Sequence, residues 1–141
     1  MNWWNISIYI ARFLIELIFF AIGASIFSFL NVIIYRLPRK KQFTLGKSMC
    51  TSCGHELSMK DMIPILSWVS LRGKCRYCGS KVSARYTIVE MLGGISAVMC
   101  TLLIGLNFWA LLMFLVSGVV ITFVYILYDK FNVTYTNGNK L

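Results

Sequence analysis

Four cysteines form two Cys-x-x-Cys pairs of the kind that bind metal ions. They are Cys50, Cys53, Cys75 and Cys78. Twenty-one residues separate the two pairs, slightly more than the usual zinc spacing. The spacing within a pair lets both thiolates bind one ion, and Gly54 and Gly79 directly after the pairs supply the tight turns that such knuckles need. Four thiolates complete a closed tetrahedral site, so the pattern predicts a structural Zn²⁺. Two redox disulfides are the alternative.

Neighbouring residues have plainer interpretations. Four thiolates need no further ligand, so we expect His55 to be an exposed imidazole that does not bind the metal. Cys100 lies in an apolar stretch, where a free cysteine packs as a small apolar residue. The apolar run "MIPILSW" between the pairs contains Pro64, which breaks a helix. This run packs over the metal site or lies at the membrane interface, where Trp68 is favoured.

Three apolar stretches surround the cysteines. The chain has 58% hydrophobic and 13% charged residues, which is too apolar for an ordinary soluble domain. Residues 13–35 are long enough to cross a bilayer, and residues 87–106 and 108–128 form a second and a third span. Asn107 is the predicted turn between the last two spans, which makes them an antiparallel hairpin.

Positive charge is concentrated in one segment. Eleven of the 14 lysines and arginines fall between residues 36 and 85, and the whole chain has five acidic residues. The eleven are Arg36, Arg39, Lys40, Lys41, Lys47, Lys60, Arg72, Lys74, Arg76, Lys81 and Arg85. The positive-inside bias predicts that this segment lies in the cytoplasm and the N-terminus outside, and the thiol-reducing cytoplasm favours zinc over disulfides. Anionic lipid also suits such a segment. Without a basic helix carrying interleaved aromatics or a reader motif, we expect no nucleic-acid partner.

These elements predict an all-α polytopic membrane protein with three transmembrane helices and a cytoplasmic zinc-knuckle loop between helices 1 and 2. The predicted divisions are a first span in 1–35, a four-cysteine loop in 36–85, a helical hairpin in 86–128 and a short cytoplasmic tail in 129–141.

The first span also carries polar and small residues. Arg12 and Glu16 are four residues apart, so we expect an ion pair near the helix end. A functional intramembrane acid at Glu16 is the alternative. Small residues in the same span predict a close contact with another helix. They are Gly23, Ala24, Ser25 and Ser28.

Several motifs occur in a characteristic order. "GASIFSFLNVIIYRLP" is followed by "CTSC", by "IPILSWVSLRGKCRYCGSKVSARYTIVE" and by an apolar hairpin. Over roughly residues 23–129 this order resembles the N-terminal region of bacterial type IV prepilin peptidases, although Thr51 and Thr87 stand where the family usually has proline. The resemblance implies a multi-pass protein of the bacterial inner membrane. Its family members are aspartic proteases that remove the leader from prepilins and pseudopilins. Many also methylate the new N-terminal amine with S-adenosylmethionine.

The resemblance also implies two catalytic aspartates at the cytoplasmic membrane face. Asp129, at the end of "VVITFVYILYD", matches the first of them. The second belongs to a Gly-x-Gly-Asp motif, which this sequence does not contain. A protease of this type needs one ionised and one protonated carboxyl, so one aspartate is insufficient. Glu90 is a weaker candidate for the second acid, and an ordinary interfacial position beside Lys130 is the alternative role of Asp129.

Three functions follow from these considerations. The chain is the N-terminal part of a prepilin peptidase that needs a second half bearing Gly-x-Gly-Asp, or it is a non-catalytic zinc-stapled module that binds pilin-like or assembly proteins. The methyltransferase activity alone is a third and weaker option, because the sequence shows no glycine-rich nucleotide loop. The expected partners are a prepilin or pseudopilin substrate, that second half and membrane lipids.

Overall fold

Helices are the main regular structure of the protein in a computed structural model that describes residues 3–37 and 48–138, with side chains as far as Phe131. Its helices are α1, Trp3–Arg36; a 3-10 turn, Met59–Asp61; α2, Leu66–Ser70; α3, Arg85–Ile104; and α4, Phe108–Gly138. Between the described helices there are two isolated β-bridges. The segments Trp3–Arg36, Arg85–Ile104 and Phe108–Phe131 are long and apolar enough to cross a membrane. The predicted all-helical architecture with three candidate spans is confirmed, whereas the cytoplasmic placement of the loop stays a prediction.

Two of the helices are longer than the spans expected from the sequence. α1 begins at Trp3, ten residues before the predicted span, because apolar residues continue toward the N-terminus. α4 continues past Tyr128 to Gly138, since no proline or glycine lies between these two residues. Residues 139–141 of the predicted tail lie outside the described residues. So do Arg39, Lys40, Lys41 and Lys47 of the predicted basic segment.

Glycines allow α1 and α3 to approach closely. A Cβ atom built on Gly23 would meet the carbonyl of Gly93 and would lie 2.8 Å from the Cβ of Ala97. Small residues let helix backbones meet in this way in membranes. The predicted close contact is confirmed at Gly23 and Ala24, which are buried. It is not formed by Ser25, which is exposed and donates a hydrogen bond to its own helix.

A small apolar core holds the three long helices together. Phe27, Ile34 and Val89 are completely buried, and Phe114 of α4 lies against them. The rings of Phe27 and Phe114 are 6.1 Å apart between centroids. Most of the remaining surface of α4 is exposed within the described chain.

The connection between α3 and α4 is a tight turn, as the sequence predicts. Gly105 adopts a φ of +85° after the last residue of α3, a conformation that suits glycine. The side-chain amide of Asn107 donates to the carbonyl of Ile104 at 2.8 Å, and its Oδ1 accepts the N–H of Ala110 at 3.0 Å. Asn107 therefore caps both helices, which makes α3 and α4 a hairpin.

The polar pair predicted in the first span is not formed. Glu16 accepts a hydrogen bond of 2.7 Å from the hydroxyl of Thr101 on α3. Within the described residues, no ion pair joins Glu16 to Arg12, because the neighbouring helix offers a buried donor while Arg12 is exposed. The carboxylate thus contributes a polar contact between two apolar helices.

Candidate metal centre and candidate catalytic carboxylate

The two Cys-x-x-Cys pairs fold into two knuckles with the same backbone geometry. The N–H of Gly54 donates to the carbonyl of Cys50 at 2.9 Å, and the N–H of Gly79 donates to that of Cys75 at 3.0 Å. Both glycines have φ near +70°, where a side chain would be strained. The glycines therefore close both turns in the way that the sequence predicts.

The four knuckle sulfurs form one group. They belong to Cys50, Cys53, Cys75 and Cys78, and all lie within 4.8 Å of one another. The Sγ atoms of Cys50 and Cys78 are 3.9 Å apart. A tetrahedral Zn²⁺ with bonds of about 2.3 Å places its sulfur ligands roughly 3.8 Å apart. The sulfurs of the two pairs thus lie side by side, at a separation that suits four-thiolate coordination.

Nearby donors favour the thiolate form of two of these cysteines. The backbone N–H groups of Cys53 and then Ser52, followed by the hydroxyl of Ser80, lower the pKa of the Cys50 thiol to about 6. Ser80 also lowers the pKa of Cys78, whose sulfur lies 3.1 Å from the serine hydroxyl. Because the thiolate is the metal-binding form, these contacts favour cation binding at Cys50 and Cys78. At Cys53 the hydrogen bond from the His55 backbone lowers the pKa, but burial and the neighbouring cysteines outweigh it and raise the pKa to about 11.

Asp61 connects the two halves of the loop. Its carboxylate accepts hydrogen bonds from the backbone and hydroxyl of Ser58, from Arg76 Nε at 2.7 Å and from the hydroxyl of Tyr77 at 3.1 Å. Only 3% of the Asp61 side chain is exposed, and the Arg76 hydrogen bond is the main reason that its pKa lies well below the usual range. His55 stacks on Tyr77 with ring centroids 3.6 Å apart, and the predicted metal cluster contains cysteines alone. Our reading of the sequence missed Asp61, although the capping-box spacing Ser58-x-x-Asp61 is a recognisable signal.

The apolar run between the knuckles packs within the loop and against α3. The indole N–H of Trp68 donates to the carbonyl of Val82 at 3.1 Å, and its ring lies over Gly73, where an added Cβ would be 2.9 Å away. The N–H of Ile65 donates to Oε2 of Glu90 on α3 at 2.8 Å. The loop is thereby attached to α3 by a buried carboxylate.

Asp129 is a buried carboxylate on α4. It is 3% exposed, and it forms an ion pair with Arg85 at the first residue of α3. Sequence reasoning assigned Asp129 but gave Arg85 no role beyond its charge. Glu90, the weaker candidate for a second acid, is paired with the Ile65 backbone instead. The two carboxylates therefore have different partners.

A family comparison covers more than half of the chain. Residues 21–104 match the family model of the bacterial peptidase A24 N-terminal domain. The matched region includes the second half of α1, all four knuckle cysteines and the whole of α3.

Similar proteins come from several bacteria. A prepilin leader peptidase/N-methyltransferase of Myxococcus xanthus is 43% identical over 81 residues, which are 57% of this chain and 24% of that protein. The protein of the same description from Vibrio cholerae is 44% identical over 86 residues, 55% of this chain and 34% of the relative. That of Aeromonas hydrophila is 31% identical over 135 residues, 79% of this chain and 47% of the relative. The chain spans less than half the length of these relatives. No solved structure matches it.

Proposed function

The chain belongs to the family of the bacterial peptidase A24 N-terminal domain, and on that premise we propose that it is the N-terminal region of a prepilin-processing membrane enzyme. The observation that carries the proposal is the match to prepilin leader peptidase/N-methyltransferases. The substrate is a prepilin or pseudopilin, and the cleavage of its leader requires a second half that bears Gly-x-Gly-Asp.

Asp129 is the first catalytic aspartate in this proposal. Its burial beside Arg85 supports the role, because an acid that faces a low-dielectric site needs a fixed partner. Arg85 acts as a positioning residue that holds the Asp129 carboxylate of α4 against the first turn of α3. The aspartate of the second half shares a proton with Asp129, which lets the pair activate water and protonate the leaving amine.

The four cysteines bind a structural Zn²⁺ in this proposal. Their sulfur separations and the donors around Cys50 and Cys78 support the assignment. When bound, the ion cross-links the two knuckles and stabilises a loop too short to build its own core. The described residues contain no glycine-rich nucleotide loop, and we assign none of them to the methyl donor S-adenosylmethionine that the family implies.

The proposed location is the bacterial inner membrane, with the four-cysteine loop and the tail in the cytoplasm and the N-terminus outside. The support is the concentration of lysine and arginine between residues 36 and 85. The division into 1–35, 36–85, 86–128 and 129–141 is part of the same proposal. Labelling of single cysteines placed in the loop from the external side of intact cells would contradict this topology.

A reconstituted cleavage assay tests the proposed function. The chain is placed in liposomes with a prepilin, alone and together with a fragment that carries the Gly-x-Gly-Asp half. We expect cleavage only in the combined sample, and Asp129→Asn should abolish it. Glu56→Gln removes a charge of the same sign from an exposed position, so this control should cleave normally.

The same assay identifies the alternative function. Absence of cleavage in the combined sample, with the zinc content intact, would refute the protease assignment. Retained binding of the prepilin under those conditions would identify a non-catalytic module instead.

A further inference from the structure

The segment between the two knuckles exposes an apolar surface. Residues 62–71 carry no charged side chain. Ile63, Leu66 and Val69 are 45%, 66% and 58% exposed, respectively. Leu66 and Val69 are three residues apart in α2 and share one face of it, and Ile63 precedes α2 by one helical turn, since its carbonyl accepts the N–H of Ser67 at 3.1 Å. Three large apolar side chains so close together are unfavourable in water.

The other side of the segment is attached to the loop. Trp68 is half-buried, its indole N–H donates to the carbonyl of Val82 at 3.1 Å, and its ring lies over Gly73. Trp68 is therefore used within the loop. The three exposed apolar residues form the outer face of the segment.

A hydrogen bond fixes the segment beside the second turn of α3. The N–H of Ile65 donates to Oε2 of Glu90 at 2.8 Å. Glu90 lies about 7 Å along the helix axis from Arg85, the first residue of α3. Ile65 has a φ of +63°, a conformation that a β-branched residue keeps only where its surroundings fix it. The segment therefore has a defined position along α3.

α1 places the segment at a similar depth. Ser67 and Trp68 line one cavity of ≈ 540 Å³ together with Asn31 of α1, and Asn31 lies about 7 Å along the axis before Arg36, the last residue of α1. Arg36 and Arg85 are the charged ends of two candidate spans, and arginines at such ends extend to the membrane interface. The segment thus lies beside the spans rather than beyond their ends. Interfacial helices are buried to a similar depth, about 5–10 Å into the boundary between headgroups and acyl chains.

Basic residues flank the apolar stretch. Lys60 and Arg72 are exposed, one on each side of residues 62–71. Asp61 also borders the stretch, but its carboxylate is held inside the loop by Arg76. An apolar face with positive charge at its edges suits acyl chains next to phosphate headgroups. A lipid surface therefore matches both the apolar and the charged part of this segment.

We propose that Ile63, Leu66 and Val69 insert into the lipid boundary beside α3 and anchor the four-cysteine loop to the membrane, with Lys60 and Arg72 at the phosphate headgroups. The bilayer itself is the occupant of this face. The anchor holds both knuckles close to the ends of α1 and α3. This role does not depend on the proposed enzymatic function, because it rests on the candidate spans and on the outer face of the segment.

Photocrosslinking to lipid tests this proposal. Benzoylphenylalanine is incorporated in place of Leu66 in the zinc-loaded full chain, with one chain in each phosphatidylcholine nanodisc. After irradiation, mass spectrometry of the intact protein identifies lipid adducts. The matched control carries the same photoreactive residue in place of Glu56, an exposed residue of the first knuckle. We expect a severalfold higher yield of lipid adduct at position 66 than at position 56.

A pair of variants tests the apolar face. With the probe at position 66, Val69→Asp places a charge on the inserted face and should lower the yield of lipid adduct severalfold. Val82→Asp makes the same change at an exposed valine outside this segment and should leave the yield unchanged. If Val69→Asp fails to retain zinc, the comparison of positions 66 and 56 in the otherwise unaltered chain still decides.

A probe in place of Leu115, which is exposed in the candidate span of α4, shows that the reaction detects lipid. Three outcomes would overturn the proposal: equal yields of lipid adduct at positions 66 and 56, no lipid adduct at position 66 despite adducts at position 115, or crosslinks from position 66 to protein instead of lipid. The last outcome would assign the outer face of the segment to a protein contact.

Discussion

Gly93→Ala tests how closely α1 and α3 must pack for the folded protein to be stable. A Cβ atom at Gly93 would lie 2.5 Å from the Cβ of Phe27 and would also meet its ring. Because the obstructing Cβ is attached directly to the α1 backbone, rotation of the phenyl ring cannot relieve the clash. The helices must separate, and overpacking of this kind costs about 1–3 kcal/mol.

Gly118→Ala provides a matched control that faces the same phenylalanine from α4. Its added Cβ would lie 3.7 Å from the Phe27 ring, which is an ordinary van der Waals contact. Both variants replace a buried helical glycine by alanine and gain about the same helix propensity, near 1 kcal/mol. The difference between them therefore isolates the clash, and we expect Gly93→Ala to be less stable by about 2 kcal/mol, roughly a thirtyfold change in the unfolding equilibrium.

The free energy of unfolding is measured by titration with sodium dodecyl sulfate in mixed micelles, with far-ultraviolet circular dichroism as the signal. Removal of the obstructing Cβ, in Phe27→Gly, should make the Gly93 substitution much less costly in the double variant. Equal stabilities of Gly93→Ala and Gly118→Ala, or an undiminished cost in the double variant, would refute this account of the α1–α3 contact.

Further predictions concern the metal, the loop acid and the ion pair. Cys75→Ser should abolish zinc binding and make the loop sensitive to protease, whereas Cys100→Ser should keep its zinc, as measured by atomic absorption on the purified proteins. Because its partners lower the pKa of Asp61, the stabilising effect of this carboxylate is complete above a pH of about 4 and is lost as the pH falls below it. Asp61→Asn should lower the free energy of unfolding by about 1–2 kcal/mol at neutral pH. The difference in this free energy between the variant and the unaltered protein should shrink in acid. A difference that stays constant with pH would contradict the argument. Arg85→Gln should lower kcat in the reconstituted cleavage assay with little change in KM, and Arg85→Lys should restore part of the loss, since it keeps a positive charge beside Asp129.

Local patterns in the sequence were sufficient to predict the structural features that residues close together in the chain form. A Cys-x-x-Cys pair followed by glycine specifies a knuckle because its hydrogen bonds span only five residues, and both knuckles have the predicted turns. The three apolar segments and the turn at Asn107 are equally local, since length and hydrophobicity decide the spans and one side chain caps both helix ends. The family resemblance also depends on motifs in a fixed order along the chain, and the match of residues 21–104 confirms it.

Only the tertiary structure decided which polar groups meet across the helices. Thr101, rather than Arg12, pairs with Glu16, because the glycine-mediated approach of α1 and α3 brings residues 85 positions apart into contact. The same approach lets the side-chain N–H₂ of Asn31 on α1 donate to the Tyr86 carbonyl on α3. Sequence spacing identifies neighbours within one or two helical turns. The contacts of Glu16 and Asn31 depend instead on how whole helices are rotated and how far apart they lie. The packing of their apolar surfaces determines both quantities.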